Sequence, residues 1–345
     1  MRTAFGQLFD VPDGYLDTAS IGIPPVVVAD AVAEDVRRWR TGAARPRDFD
    51  RPVTIARAAF AELVGVDADQ VAVGSSVSAL VGLVAASLPG GAEVLVANGE
   101  FTSVSFPFAA QAGRGIRITE APLREIPERA SEADLVAVSV VQSSDGALLD
   151  LTALRAAVVG SSTRSSTRVL LDATQALGWL PLRLDWADAV VAAGYKWLLS
   201  PRGAAWMSVS HELRDELVPH LANWFACVDP WESIYGLPLR LAVGARRLDS
   251  SPTWITHVGA AEALPWLASL DGVQVRAHCV GLADKLRVEL GEEPAGSAIT
   301  TVRRPDAAEK LAAAGVVAST RMGAVRLAFH LYNTESDVER VLDAL

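Results

Sequence analysis

The stretch ADAVVAAGYKWLLSPRG, residues 187–203, decides how the chain is read. A run rich in valine and alanine ends in one lysine, Lys196, and a Ser-Pro-Arg-Gly turn follows at once. That pattern predicts a buried strand delivering an amine to its carboxyl end. Only three of the 31 basic residues are lysines. Lys285 and Lys310 sit in the amphipathic patterns GLADKLRVEL and DAAEKLAAAG and read as solvated helix faces. Lys196 alone stands where burial of a charge is costly without a reason.

Outward from this stretch, short apolar runs recur at 71–73, 93–97, 116–119, 135–141, 169–171, 189–193 and 204–209. They alternate with helical patterns, so an α/β fold is predicted, its seven-stranded, mostly parallel sheet covered on both faces. Helices are predicted at 26–40 and 52–64, ahead of the first of these strands. From about residue 271 the pattern changes to a helix at 273–290, a strand at 299–303, a helix at 306–314, strands at 316–320 and 324–331, and a helix at 336–345. This reads as a small α+β unit. The expected division is 14–270 for the large domain, with 1–13 and 271–345 forming the small one. The Ser/Thr stretch at 161–167 reads as a surface loop.

Composition narrows the function. Half of the 345 residues are hydrophobic, yet no apolar run reaches the roughly 18 uncharged residues of a membrane helix. The opening MRTAFGQLFDVPDGY lacks the basic and apolar regions of a signal peptide, so a cytoplasmic protein without a membrane partner is expected. The net charge of -10, with no basic block, argues against nucleic acid and favours a small molecule as partner. Cys227 and Cys279 are too isolated for a disulfide framework, and the five histidines form no metal-spaced pair, so no metal is expected.

Four features fall at the carboxyl ends of predicted strands, where open α/β sheets bind ligands. Gly74-Ser75-Ser76-Val77-Ser78 lies between a strand and a helix start, which suits a phosphate, although taken alone an ordinary N-cap is the plainer reading. Glu100-Phe101-Thr102 follows the strand at 93–97; Phe101 taken singly would be core. In Leu171-Asp172-Ala173-Thr174-Gln175 a carboxylate ends a strand with Gln175 three residues on, so both can face one ligand; a structural cap is the alternative. Lys196 is the fourth feature, and a buried Asp172–Lys196 ion pair is its plain alternative. Singly each is ambiguous, whereas their order is specific.

In that order, and from Tyr15-Leu16-Asp17 to Tyr332-Asn333-Thr334, the chain resembles the class V, fold-type-I pyridoxal-phosphate enzymes. This group includes cysteine desulfurases, kynureninase, isopenicillin N epimerase-like proteins and the sulfoxide lyases of ergothioneine synthesis. The resemblance implies a pyridoxal 5'-phosphate cofactor bound covalently by Lys196, with Asp172 at the pyridinium nitrogen, Gln175 at the phenolic oxygen and Phe101 stacked on the ring. It places the phosphate on Ser75, Ser76 and Val77, in the loop that runs to Ser78, and on Tyr195. It implies an amino-acid substrate bound by Arg326, at its carboxylate, and by Ser143, and a homodimer in which Ser251 reaches the neighbouring subunit's phosphate. For Arg326 the alternative is a surface salt bridge.

The chain also departs from the family pattern. Desulfurases carry a nucleophilic cysteine on a mobile loop shortly before the carboxylate-binding arginine, and the segment 319–323 here, Ser-Thr-Arg-Met-Gly, has none. Family members often have serine and histidine where Ala193 and Tyr195 stand, so the phosphate grip is altered. An asparagine that some relatives offer to the substrate is replaced by Gln142-Ser143-Ser144-Asp145. The expected chemistry is therefore β-elimination from a cysteine conjugate or sulfoxide. Transamination or epimerisation is the alternative, ahead of desulfuration or a non-catalytic binding role. The aromatic connection carrying Trp224, Phe225, Trp231 and Tyr235 reads either as a pocket wall or as a surface for a partner subunit.

Overall fold

A computed structural model describes residues 1–159 and 167–345. The expected surface loop at 161–167 thus lies outside the described residues except for Thr167, which is buried and donates to the carbonyls of Ala130 and Ala133. The strands in chain order are β1 (Arg2–Ala4), β2 (Gln7–Phe9), β3 (Val71–Gly74), β4 (Glu93–Ala97), β5 (Arg117–Ala121) and β6 (Leu135–Ser139). There follow β7 (Arg168–Asp172), β8 (Ala189–Ala193), β9 (Ala205–Val209), β10 (Ile299–Val302), β11 (Ser319–Arg321) and β12 (Ala324–Ala328).

Strands β3 to β9 build one seven-stranded sheet in the order β3-β9-β8-β7-β6-β4-β5. Its pairs are parallel except the two made by β9. All seven predicted runs are strands. The run predicted through residue 141 stops at Ser139, because the chain turns back there and Val141 bridges Leu148. Along β6, Val136 and Val138 enter one core while Leu135 and Ala137 enter another. Both faces of the pleat are interior, which is why these strands show no polar alternation.

The chain passes from β4 outward to β5 at the sheet edge, then returns to the other side of β4 to form β6. Such a reversal opens a crevice at the carboxyl ends of the strands. Helix Val77–Ser87 follows β3 and helix Thr102–Ala109 follows β4, so the crevice is bordered by two helix starts.

Beyond helix Gly272–Glu289, strands β10, β12 and β11 form an antiparallel sheet over a separate core that includes Leu282, Leu286, Leu327, Phe329 and Val338. The hairpin of β1 and β2 is not visible in the sequence, since three-residue strands are too short to show a period. Its Phe5-Gly6 turn has φ of 47° and 77°, the left-handed geometry of a tight hairpin. Arg2 pairs with Asp337 at 2.5 Å and so docks the hairpin on the last helix, Glu335–Ala344. Among the described residues no helix is long and apolar enough to cross a membrane.

A buried ion pair ties the edge strand to the loop carrying Ser251. Arg57, in helix Asp50–Val64, meets Asp249 at 2.6 Å, and Asp249 also accepts from the Val73 amide at 2.8 Å. Removing one partner of a buried pair leaves the other charge desolvated and unpaired. Asp249→Ala is therefore expected to destabilise the fold by about 3–5 kcal/mol. Calorimetric unfolding checks this, and an unchanged melting temperature would show that the pair does not hold the loop.

Candidate active site

The carboxyl ends of β3, β4, β6, β7 and β8 and the start of β9 meet at one rim of the sheet, and the residues expected from the sequence converge there. One cavity is lined by Ser75, Ser76, Val77, Phe101, Ser143, Asp172, Gln175, Tyr195 and Lys196.

Lys196 follows β8 and is only 5% exposed. Its ammonium lies 5.0 Å from the centre of the Phe101 ring and 5.7 Å from that of Tyr195. Burial lowers its pKa from the usual lysine value to about 8; Arg326, Arg321 and Arg202 push the same way, and Asp172 opposes them. The backbone beside it is locked. The Trp197 indole donates to Gln175 Oε1 at 2.7 Å, His330 Nε2 lies 3.0 Å from the Trp197 carbonyl, and the Gly22 amide donates to the Tyr195 carbonyl at 2.9 Å. Gly22 has to be glycine, since a Cβ there would lie 2.0 Å from the Lys196 carbonyl oxygen.

Asp172 ends β7 and is buried. Its carboxylate accepts from the Thr174 amide at 2.8 Å, while the Thr174 hydroxyl accepts from the Ala193 amide at 3.1 Å. Burial pushes the Asp172 pKa up to about 6; the Thr174 hydrogen bonds and the Lys196 charge pull it down, and Glu100 adds a small upward push. Asp172 and Lys196 thus influence each other as charges without forming a contact ion pair, so the plain structural alternative does not account for them.

Gln175 donates from Nε2 to the Ala19 carbonyl at 3.0 Å and to Ser143 Oγ at 3.1 Å. The donor-only indole of Trp197 fixes which end of this amide is oxygen. On the helix side, Ser76 caps Val77–Ser87 by accepting from the Ala79 amide at 3.2 Å, leaving first-turn amides beside the serine hydroxyls.

Arg326 projects from β12 and is buried, which rules out the surface salt bridge. Nη1 donates to the Ser143 carbonyl at 2.6 Å and to its hydroxyl at 3.0 Å; Nη2 donates to Ser20 at 2.7 Å and Ser319 at 3.1 Å. Asp17 is 3.6 Å away, and Nε is buried without a partner. Burial and Arg321 press its pKa down to about 10, so the guanidinium stays charged at neutral pH. Arg326 reaches the Lys196 cavity through Ser143 rather than lining it.

Other expected residues lie apart. Ser251 is exposed and does not line the cavity of its own chain. Trp224 packs on Phe225 and Trp231, with centroids 5.5 and 5.0 Å apart, and Tyr235 is 92% exposed. In its own chain the aromatic connection is therefore not a wall of this pocket. Cys227 and Cys279 are free, buried and outside the cavity, and burial drives the Cys279 thiol far above its usual pKa.

Glu100 also belongs to this site, although its own sequence context does not single it out. Its buried carboxylate accepts from the amides of Phe101 at 2.7 Å and Ser139 at 2.8 Å, from the Ser139 hydroxyl at 2.6 Å and from Gln142 at 3.1 Å. It thereby ties the Phe101 loop to the end of β6. A charged residue three positions past the end of an apolar strand is the available signal.

The family model for class V aminotransferases matches residues 15–314, and the chain belongs to that family. Among curated relatives, an uncharacterized aminotransferase of Bacillus subtilis is 29% identical over 84% of this chain and 82% of its own length. An isopenicillin N epimerase of Streptomyces clavuligerus is 28% identical over 88% and 87%. Two solved structures share the fold at 19% identity. One is a cystine C-S lyase bound to cysteine persulfide, with a TM-score of 0.85 over 96% of this chain and 97% of that one. The other is an Escherichia coli cysteine desulfurase, with a TM-score of 0.81 over 97% and 95%. The protein is thus a fold-type-I enzyme of class V, and its cofactor is pyridoxal phosphate.

The cavity fits that group. It offers an amine of lowered pKa with no ion-pair partner among the described residues, a buried carboxylate, an aromatic face, and a neutral cradle of serines at a helix start. Because attack on the cofactor's aldehyde needs the neutral amine, its capture by cofactor-free protein is expected to quicken with rising pH and level off above about pH 8. Stopped-flow absorbance reads this rate; a rise continuing to pH 10 would mean that Lys196 is not desolvated in solution.

Proposed function

We propose that this enzyme removes the α-proton of an amino acid with Lys196 and then expels a sulfur group from the β-carbon of a cysteine S-conjugate or its sulfoxide. Bound pyridoxal phosphate supplies a conjugated ring that accepts the electron pair released at the α-carbon. Asp172 holds a proton at the ring nitrogen, Gln175 donates to the phenolic oxygen in place of Ser143, Phe101 covers the ring, and the Ser75–Ser78 loop with Tyr195 grips the phosphate. Arg326 and Ser143 orient the substrate carboxylate, which sets the α-hydrogen relative to the ring. The reaction balances with one water: the conjugate R-S-CH2-CH(NH3+)-COO- and water give R-SH, pyruvate and ammonium.

The observation that carries this reading is a cavity with a buried base of lowered pKa and no thiol. Where a persulfide route would need a cysteine near Arg326, β11 and β12 are joined by a tight turn at Met322 and Gly323, with φ of 45° and 76°. A second reading, transamination or epimerisation, is favoured by the named sequence relatives. The test is a pyruvate assay over cysteine S-conjugates with no keto acid present. Pyruvate with stoichiometric ammonium supports elimination. Silence there, with amination of an added keto acid or loss of optical activity, establishes the second reading.

We also propose a cytoplasmic homodimer in which Ser251 reaches the partner's site, divided into 14–270 and 1–13 with 271–345. The dimer is supported by exposed apolar residues that precede this loop in sequence, including Leu237 and Val243. A monomeric mass in light scattering would remove the dimer.

A further inference from the structure

We propose that Arg202 is the cationic ligand of the cofactor's phosphate. Register places it there. Antiparallel β3 and β9 pair Gly74 with Ala205, and β8 and β9 pair Ala193 with Ala205. The serines after β3, distant in sequence, therefore come side by side with Tyr195 after β8 and Arg202 just before β9. All line the same cavity.

Among the described residues that line this end, no other cation faces it. The serine hydroxyls and first-turn amides are neutral donors, and Ala193 in the same wall brings no polar side chain. Arg326 is engaged with Ser143, Ser20 and Ser319, and Arg321 lies by Ser20. Arg202 has no ion pair with a described residue. Its guanidinium rests 5.1 Å over the Tyr195 ring, a cation–π contact that uses none of its N-H donors. It is also close enough to oppose protonation of Lys196. A guanidinium fork matches two oxygens of a phosphate, and a doubly charged anion held only by neutral donors would lack a countercharge.

The inference rests on the family's cofactor and not on the elimination reading, so each can fail without the other. Cofactor-free full-length protein is titrated with pyridoxal phosphate and with pyridoxal, which has the same ring and aldehyde but no phosphate, and the absorbance of the covalent adduct is followed. Arg202→Ala is expected to weaken pyridoxal phosphate by about 10- to 100-fold, the range for a hydrogen bond to a charged group, and to leave pyridoxal unchanged. Arg202→Lys should recover part of the loss and Arg202→Gln almost none. Equal weakening of both compounds, or of neither, overturns the proposal. Unchanged cofactor affinity with a raised KM would assign Arg202 to an anionic group of the substrate instead, and would equally overturn it.

Discussion

Lys196→Ala is expected to abolish covalent capture of the cofactor and to lower turnover by about 10³- to 10⁴-fold, toward the upper range for a positioned proton-transfer group. No other lysine can substitute. Lys285 is paired with Glu335 at 2.9 Å and Lys310 is exposed on the helix Ala307–Ala313, both away from the cavity. Borohydride reduction followed by mass spectrometry reads the covalent link: the wild-type chain gains the cofactor's mass and the variant does not. Retention of the link in Lys196→Ala would displace Lys196 from its proposed role.

A fold control accompanies this variant. The Lys196 pKa is lowered in the folded state, so below about pH 8 the folded chain carries a desolvated charge that unfolding releases to water. Between about 8 and the usual lysine value the unfolded chain binds more protons, so wild-type stability rises with pH there. Cofactor-free Lys196→Met should accordingly melt above the wild type at pH 7, with the gap narrowing toward pH 10. A lower melting temperature for Lys196→Met at pH 7 would contradict this ordering.

Asp172→Asn is expected to separate capture from chemistry. Lys196 remains, so covalent attachment persists, but an amide cannot hold a proton at the ring nitrogen as a carboxylate does. Loss of a charge-assisted hydrogen bond worth about 1.5–3 kcal/mol corresponds to a kcat lower by about 10- to 150-fold. The pH profile gives an independent sign. Burial raises the Asp172 pKa to about 6, so the carboxylate needed at the ring is lost as pH falls through that value. Wild-type cofactor affinity should weaken below pH 6, and the asparagine variant should lack this acid limb. An undiminished kcat in Asp172→Asn would remove the carboxylate from the mechanism.

Much of this site was legible because the relevant signals are local. A strand covered on both faces must be a short continuous apolar run, and a functional side chain at its carboxyl end appears as a polar residue within about three residues of the run's end. Asp172, Lys196 and the serines after β3 all obey that rule. Glu100 obeys it too, but a lone carboxylate carries no sign that four donors from two segments will converge on it.

By itself the sequence determined the seven strands, the buried lysine, the aspartate at the end of a neighbouring strand, and through their order the family and cofactor. Tertiary structure alone decided which distant segments share a wall. It tied Arg326 to serines at 20, 143 and 319, gave Gln175 its partners Ala19 and Trp197, placed the aromatic connection away from its own chain's cavity, and brought Arg202 beside the serine cradle. The reason is physical. Burial periodicity is set by neighbours a few residues apart, whereas strand order and register are set by pairing across the whole chain.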